Sequence, residues 1–215
     1  MTTPIVLQGS DEWRRLRLGK VTASRIADVI AQTRNGWGAS RDDYMAELIA
    51  ERRTGVPQDS HETEDMRRGR ELEPQAREAY EFYCDVTVQP AAFVAHPHIA
   101  MSGASPDGYV GEDGLVEFKC PRTKTHIATL LGAPIPDRHQ VQMQWQMACT
   151  GRAWCDYVSF DPRMPDHEAI CVTRVLRDQR RIEQLEADVR QFLGELDAKM
   201  QRLDTLFLEL AGRCP

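Results

Sequence analysis

Asp107, Glu117 and Lys119 stand in two short runs, Ser105-Pro106-Asp107-Gly108-Tyr109 and Leu115-Val116-Glu117-Phe118-Lys119-Cys120. Together they offer two carboxylates for a hard cation and an ammonium beside them. Side chains alternate across an extended strand, so Leu115, Glu117 and Lys119 share one face while Val116, Phe118 and Cys120 take the other. Whether Asp107 joins Glu117 depends on hairpin register. A two- or four-residue loop would set Asp107 opposite Phe118, on the wrong face. A three-residue loop Glu112-Asp113-Gly114 pairs Gly111 with Leu115 and Asp107 with Lys119, and puts Gly114 in the left-handed position that such a bulged loop requires. The sequence favours this productive register.

Two carboxylates converging with a lysine repel, or lose hydration at a cost, unless a hard cation sits among them. Oxygen ligands that leave room for waters and a substrate phosphate are the habit of magnesium. Such an ion polarises a phosphoryl oxygen and lowers the pKa of a bound water, while Lys119 can position that water or neutralise developing charge. Taken alone, a Glu-x-Lys step is more often an exposed hairpin pair, so the surrounding residues decide the reading.

The elements that must position these residues follow from spacing and punctuation. Ser10-Asp11-Glu12-Trp13, Thr22-Ala23-Ser24 and Ser40-Arg41-Asp42-Asp43 each place a capping residue before helical spacing, which makes the first quarter helical. A longer helix is expected over 64–84, kinked or restarted at Pro74. Short β-type runs at 86–88, 91–95, 99–102, 109–110 and 115–119 read as one meandering sheet. Helices over 124–131 and 138–148, strands over 153–160 and 169–175, and a final helix over 178–210 complete the order. That last helix carries Ile182, Leu185, Val189, Phe192, Leu193, Leu196, Met200 and Leu203 as a single apolar stripe, which reads as core packing, with a partner-binding coiled coil as the alternative.

A length of 215 residues with 41% hydrophobic content accommodates one domain over 1–215: a helical part about 10–84, a sheet and helices about 86–175, and the C-terminal helix about 178–210. No apolar run is long enough to span a membrane, and the first residues have no leader pattern, so a cytoplasmic protein is expected. Six cysteines without a Cys-x-x-Cys pair disfavour zinc ribbons, iron–sulfur clusters and disulfide scaffolds. His96-Pro97-His98 lacks further ligands at useful spacing for zinc. Cys120 reads as core. Gly-rich phosphate loops and Gly-x-Ser-x-Gly elbows are missing, against a kinase, ATPase or serine hydrolase. The formal net charge of −6 excludes coating of nucleic acid by bulk electrostatics. DNA contact would have to be local, through Arg14, Arg15, Arg17, Lys20 and Arg25, through Arg67, Arg68 and Arg70, or through Arg122 and Lys124, all of which also suit solvated helix faces.

The proline-aspartate step, the ten-residue interval and Glu-x-Lys form the motif of the restriction-endonuclease-like nuclease superfamily. Neighbouring segments sharpen the resemblance. Asp11-Glu12-Trp13, Leu16-Arg17-Leu18-Gly19, Thr22-Ala23-Ser24, Gly69-Arg70-Glu71-Leu72-Glu73, Gln142-Met143-Gln144 and Asp161-Pro162-Arg163-Met164 flank the motif in the order and spacing of the phage lambda exonuclease family. The resemblance covers residues 8–175. It implies an α/β fold with a restriction-endonuclease-like core, a mixed central β-sheet flanked by helices, and a long C-terminal helix.

The same resemblance implies a 5′→3′ exonuclease that resects linear duplex DNA from 5′-phosphorylated ends for phage-type recombination. It would work as a ring-shaped homotrimer beside a single-strand annealing protein, phage- or prophage-encoded, in a bacterial cytoplasm. Asp107, Glu117 and the main-chain carbonyl of Phe118 are implied as ligands of Mg²⁺, two ions with Mn²⁺ as a substitute. Lys119 is implied to handle the attacking water, Glu73 to be a further acid near the metals, and Gln142 to line the cleft. Arg17, Ser24 and Ser105 match positions that hold the 5′-phosphate, and Arg34 one on the DNA track; a guanidinium fork with hydroxyls suits a phosphate dianion. The chain departs from lambda exonuclease at Thr125, where the family member has an arginine; Lys124 beside it offers a point charge instead of a fork. An endonuclease of the same superfamily, or a non-catalytic DNA-binding or recombination scaffold, are the alternatives. From spacing alone Glu73 is either cleft-facing, with the stripe Ala76, Tyr80 and Tyr83, or a carboxylate at a helix start.

Overall fold

The structure is a computed structural model that describes residues 8–34, 36–58 and 63–211. Residues 1–7, on which the expectation about a leader falls, and Cys214 lie outside them. In chain order the elements are α1 (Asp11–Arg17), β1 (Val21–Thr22), a 3-10 turn (Ala23–Arg25), α2 (Ile26–Val29), β2 (Gln32–Thr33), β3 (Gly36–Trp37), α3 (Ala39–Thr54) and α4 (Glu64–Cys84). Then follow β4 (Val88–Gln89), β5 (Val94–Ala95), β6 (Ser102–Ala104), β7 (Gly108–Val110), β8 (Gly114–Lys119), α5 (Thr123–Leu130), α6 (Asp137–Thr150), β9 (Trp154–Phe160), β10 (Ile170–Leu176) and α7 (Gln179–Ala211).

Caps explain several boundaries. The Ser10 hydroxyl accepts from the Trp13 amide at 3.2 Å and starts α1, and Thr63 does the same for α4 with Met66. The expected cap at Ser40 is not used: Gly38 precedes α3 and Ser40 lies in its first turn. Pro74 does not break α4, which runs through it. Because Pro74 faces solvent, water can serve the carbonyl one turn earlier.

The strands form a central five-stranded sheet, ordered β10-β9-β8-β7-β4, a separate three-stranded sheet β1-β6-β5 and the hairpin β2-β3. In the central sheet β8 and β9 run parallel and the other pairs antiparallel. The single meander expected over 86–119 is therefore split. Pro106 has no N–H to extend a ladder from β6 into β7, and β6 instead pairs with β1 in parallel, Val21 beside Ser102 and Thr22 beside Gly103. The strand expected over 99–102 is correspondingly displaced to Ser102–Ala104.

Helices cover both faces of the central sheet. Val88, Val110, Val116, Phe118, Val158 and Phe160 pack on Ala76 and Tyr80 of α4. Leu115, Cys155 and Tyr157 pack on Met143 and Met147 of α6 from the other side. The alternation read in 115–120 is thus realised, and Cys120 packs with the α4 cluster. A third cluster joins α2, α3, α6 and α7. Leu185, Val189, Phe192 and Leu196 of α7 lie within it, and they and Ile182 are fully buried. Each such side chain contributes roughly 1.5–3 kcal/mol, so α7 is an integral layer of the core. No helix among the described residues is long and apolar enough to cross a membrane.

Candidate active site

The β7–β8 hairpin carries the acids in a register that differs from the expected one. Val110 pairs with Gly114, Tyr109 with Leu115 and Gly108 with Val116, so the three-residue loop is Gly111-Glu112-Asp113 and Asp107 stands opposite Glu117, not Lys119. Gly111, with φ 56°, takes the left-handed position assigned above to Gly114. Gly114 is needed for packing instead: a Cβ there would lie 2.2 Å from the Trp154 ring. The slip is two residues, and a slip of two preserves face. Asp107, Glu117 and Lys119 therefore still converge.

Glu117 is almost fully buried, at 2% exposure, and is held from three directions. Its Oε1 accepts from Lys119 Nζ and, at 2.6 Å, from Gln142 Nε2; its Oε2 accepts from Gln146 Nε2 at 2.6 Å. Gln142 and Gln146 are one turn apart on α6, so a single helix face supplies both amides. Asp107 accepts the Phe118 amide on Oδ2 at 2.7 Å. The N–H and C=O of one strand residue point to the same edge, so the Phe118 carbonyl faces the Asp107 side of β8.

The electrostatics show crowding of negative charge. Burial, then repulsion from Glu117 and Glu73, push the Asp107 carboxyl well above the usual carboxylate range. Glu73, half-buried on α4, is likewise raised by burial, with Arg77 opposing and Glu117 reinforcing. Burial would lower the Lys119 ammonium, but Glu117 and Asp107 outweigh it and hold the proton on more firmly. Lys119 is a fixed cation and a donor.

Among the described residues no three His, Cys, Asp or Glu side chains form a ready metal cage. The donor set nevertheless fits magnesium, which usually takes one or two carboxylates and completes its shell with water and substrate phosphate. A carboxylate has about four lone-pair sites. Three on Glu117 are used, leaving one on Oε2, and on Asp107 the hydrogen bond from Phe118 occupies Oδ2, leaving Oδ1. With the Phe118 carbonyl this makes an all-oxygen set whose mutual repulsion a divalent cation would relieve.

A second cluster adjoins the first through Ser105-Pro106-Asp107. The Arg17 guanidinium stacks 4.0 Å over the Trp13 ring, and Trp13 Nε1 donates to Ser105 Oγ at 2.9 Å. With its oxygen engaged as acceptor, the Ser105 hydroxyl keeps its own proton to donate elsewhere. Arg17 makes no ion pair among the described residues, and burial draws its guanidinium below the ordinary value, with Tyr44 and Glu51 opposing. A half-buried unpaired guanidinium is a site suited to an anion. Ser24 is exposed just beyond β1, and the β1–β6 pairing brings Ser24 and Ser105 to the same sheet end. Arg34, at the tip of the β2–β3 hairpin, and Lys124, in the first turn of α5, are exposed and are joined to neither cluster by a described contact.

Three residues near the site went unread in the sequence. Gln146 was legible as the i+4 partner of Gln142. Arg77, whose Nη2 donates to the Asp107 carbonyl at 2.7 Å, had the same signal relative to Glu73. His139 had none; burial, then Lys119, depress its imidazole to about 4, so it is neutral. His96 is a core residue, stacked 4.8 Å from Trp145 and facing Glu186 at 3.4 Å. Tyr83, placed above on the buried stripe of α4, is 67% exposed.

The chain is 48% identical to the alkaline exonuclease LHK-Exo of Laribacter hongkongensis, over 94% of this chain and 100% of that one, with a TM-score of 0.85. The complex of LHK-Exo with dAMP matches at the same identity and coverage, with a TM-score of 0.86. A phage related exonuclease of Haemophilus somnus 129PT shares the fold, with a TM-score of 0.66 over 86% of this chain and 96% of that one, at 15% identity. No curated protein matches the chain. The model of the YqaJ-like viral recombinase domain matches residues 12–153, a span that holds both the carboxylate–lysine cluster and the Arg17–Trp13–Ser105 set. The chain belongs to the YqaJ-like viral recombinase family, with the lambda exonuclease-type architecture.

Proposed function

We propose that this protein is a magnesium-dependent exonuclease that enters linear duplex DNA at a 5′-phosphorylated end and cuts 5′→3′, leaving 3′ single-stranded tails for phage-type recombination. The observation that carries the reading is the junction of two clusters at Ser105-Pro106-Asp107: an unpaired arginine with a donor-ready serine on one side, and two carboxylates with an ammonium on the other. The name of the LHK-Exo relative, an alkaline exonuclease, supports the same class.

In this reading Asp107, Glu117 and the Phe118 carbonyl would hold Mg²⁺, or Mn²⁺ in its place, with Glu73 serving a second ion. The ion, when bound, supplies Lewis-acid polarisation of the phosphoryl group and a more acidic water. Arg17 and Ser105 bind the terminal phosphate and fix the register of the strand, with Ser24 assisting. Lys119 holds its proton and donates toward charge developing at the cut phosphate. Gln142 and Gln146 keep Glu117 from rotating away. Arg34 and Lys124 would touch the DNA further out. The reading treats 1–215 as one nuclease domain and includes a ring-shaped homotrimer, a single-strand annealing partner and a bacterial cytoplasmic setting, all carried by family resemblance.

Digestion of three duplexes with Mg²⁺ tests it: linear with 5′-phosphate, linear with 5′-hydroxyl, and covalently closed circular. The phosphorylated linear form should disappear fastest and the circle should persist. Loss of the circle at the rate of the phosphorylated form would replace the proposal with an endonuclease. Binding without cleavage of any of them would leave a scaffold.

A further inference from the structure

Arg77, on α4, touches both Glu73 and the main chain at Asp107. Its Nη2 lies 3.6 Å from Glu73 Oε1, one turn back on the helix, and donates to the Asp107 carbonyl at 2.7 Å. The guanidinium sits 5.5 Å from the Phe118 ring, and its Nη1 is buried without a hydrogen-bond partner. The backbone makes room for it. A Cβ on Gly108 would meet Nη1 at 3.3 Å as well as Val88 Cγ1 at 2.1 Å, so the glycine after Asp107 lets strand and guanidinium pass closely.

The choice of acceptor is informative. Arg77 bonds the carbonyl of Asp107, not its carboxylate, and so leaves Oδ1, the carboxylate oxygen that the Phe118 amide does not engage, to face the site. Lys119 does the opposite, contacting Glu117 directly. A planar guanidinium has several donors in a fixed fork and cannot lose its proton, which suits it to set a spacing between two groups. We propose that Arg77 is a positioning residue that fixes Glu73 on α4 relative to Asp107 on the sheet, so that the two carboxylates serve one divalent-ion centre. This rests on the metal-dependent reading above.

Two accounts of Arg77 give opposite signs. If it acts only as a nearby positive charge, its removal strengthens cation binding, because one repulsive neighbour is lost. If it sets geometry, removal weakens binding despite the lost repulsion. Mn²⁺ titration calorimetry on the DNA-free full chain reads this directly, alongside the half-saturating Mg²⁺ concentration for digestion of 5′-phosphorylated linear duplex. Arg77→Met should weaken Mn²⁺ binding about tenfold and raise the half-saturating Mg²⁺ in parallel. Arg77→Lys keeps charge and stem but loses the fork, and should weaken both about threefold with an unchanged near-UV circular dichroism spectrum. That variant carries the test should Arg77→Met not fold. Wild-type affinity or tighter binding in Arg77→Lys, or in a folded Arg77→Met, overturns the proposal. Absence of Mn²⁺ binding by the wild type would instead overturn the metal-dependent reading itself, which keeps the two failures distinct.

Discussion

Gln146 Nε2 donates to Oε2 of the buried Glu117 at 2.6 Å, one helical turn beyond Gln142, which donates to Oε1 at the same distance. A carboxylate taken out of water is costly unless its lone pairs are met, and two amides with one ammonium meet three of them. Gln146→Ala removes the sole described donor to Oε2. It should destabilise the fold by about 1–3 kcal/mol and lower cleavage as Glu117 gains freedom. Urea unfolding read against wild type measures the first, and unchanged stability would show that Oε2 does not depend on Gln146.

Lys119→Ala should abolish cleavage while sparing the fold and DNA binding. Preorganised donors of this kind contribute on the order of 10²–10³-fold to turnover. Single-turnover digestion and a gel-shift titration separate the two effects. Turnover within a few-fold of wild type would refute the assigned role.

Arg17→Ala should erase the preference for a 5′-phosphoryl over a 5′-hydroxyl end and leave Mn²⁺ affinity unchanged. Arg17 stacks on Trp13 and lacks a carboxylate partner among the described residues, so its lost contacts are those of an anion site. Arg17→Lys should recover only part of the preference, since a point charge cannot reproduce the fork. Equal discrimination in Arg17→Ala and wild type would contradict this.

Asp107 gives a stability prediction of definite sign. Burial and its acidic neighbours raise its carboxyl above the unfolded value, so the native state holds the proton longer than the unfolded state. In metal-free protein, stability is then highest while the group is protonated in both states and declines as pH climbs from about 4 toward the native value. Asp107→Asn lacks this loss. With EDTA present it should melt higher than wild type at neutral pH, with the difference vanishing in acid. A lower melting temperature at neutral pH would show that Asp107 is not electrostatically strained.

Much of this was legible in the sequence because the decisive signals were local. Period-two alternation placed Glu117 and Lys119 on one face, and helical periodicity identified the buried stripe of α7. The hairpin register was misplaced because Gly114 satisfies a turn rule as well as Gly111 does, and what separates them is the Trp154 ring, forty residues on in sequence. The split of the strands into two sheets followed from β1 pairing with β6, a contact between segments eighty residues apart that no window reveals. Helical spacing marks Arg77 and Gln146 as neighbours of Glu73 and Gln142, but their partners Asp107 and Glu117 lie across an interface between helix and sheet that spacing does not reveal. Among the described residues no contact joins Arg34 or Lys124 to either cluster, and the role expected of them is toward the DNA itself.

The most direct test of the central claim is an anomalous difference map from crystals soaked in Mn²⁺. It should show density bounded by Asp107, Glu117 and the Phe118 carbonyl, within about 2.0–2.4 Å of their oxygens. A map without a peak there at saturating Mn²⁺, or with its strongest peak at His96 and His98, would contradict it.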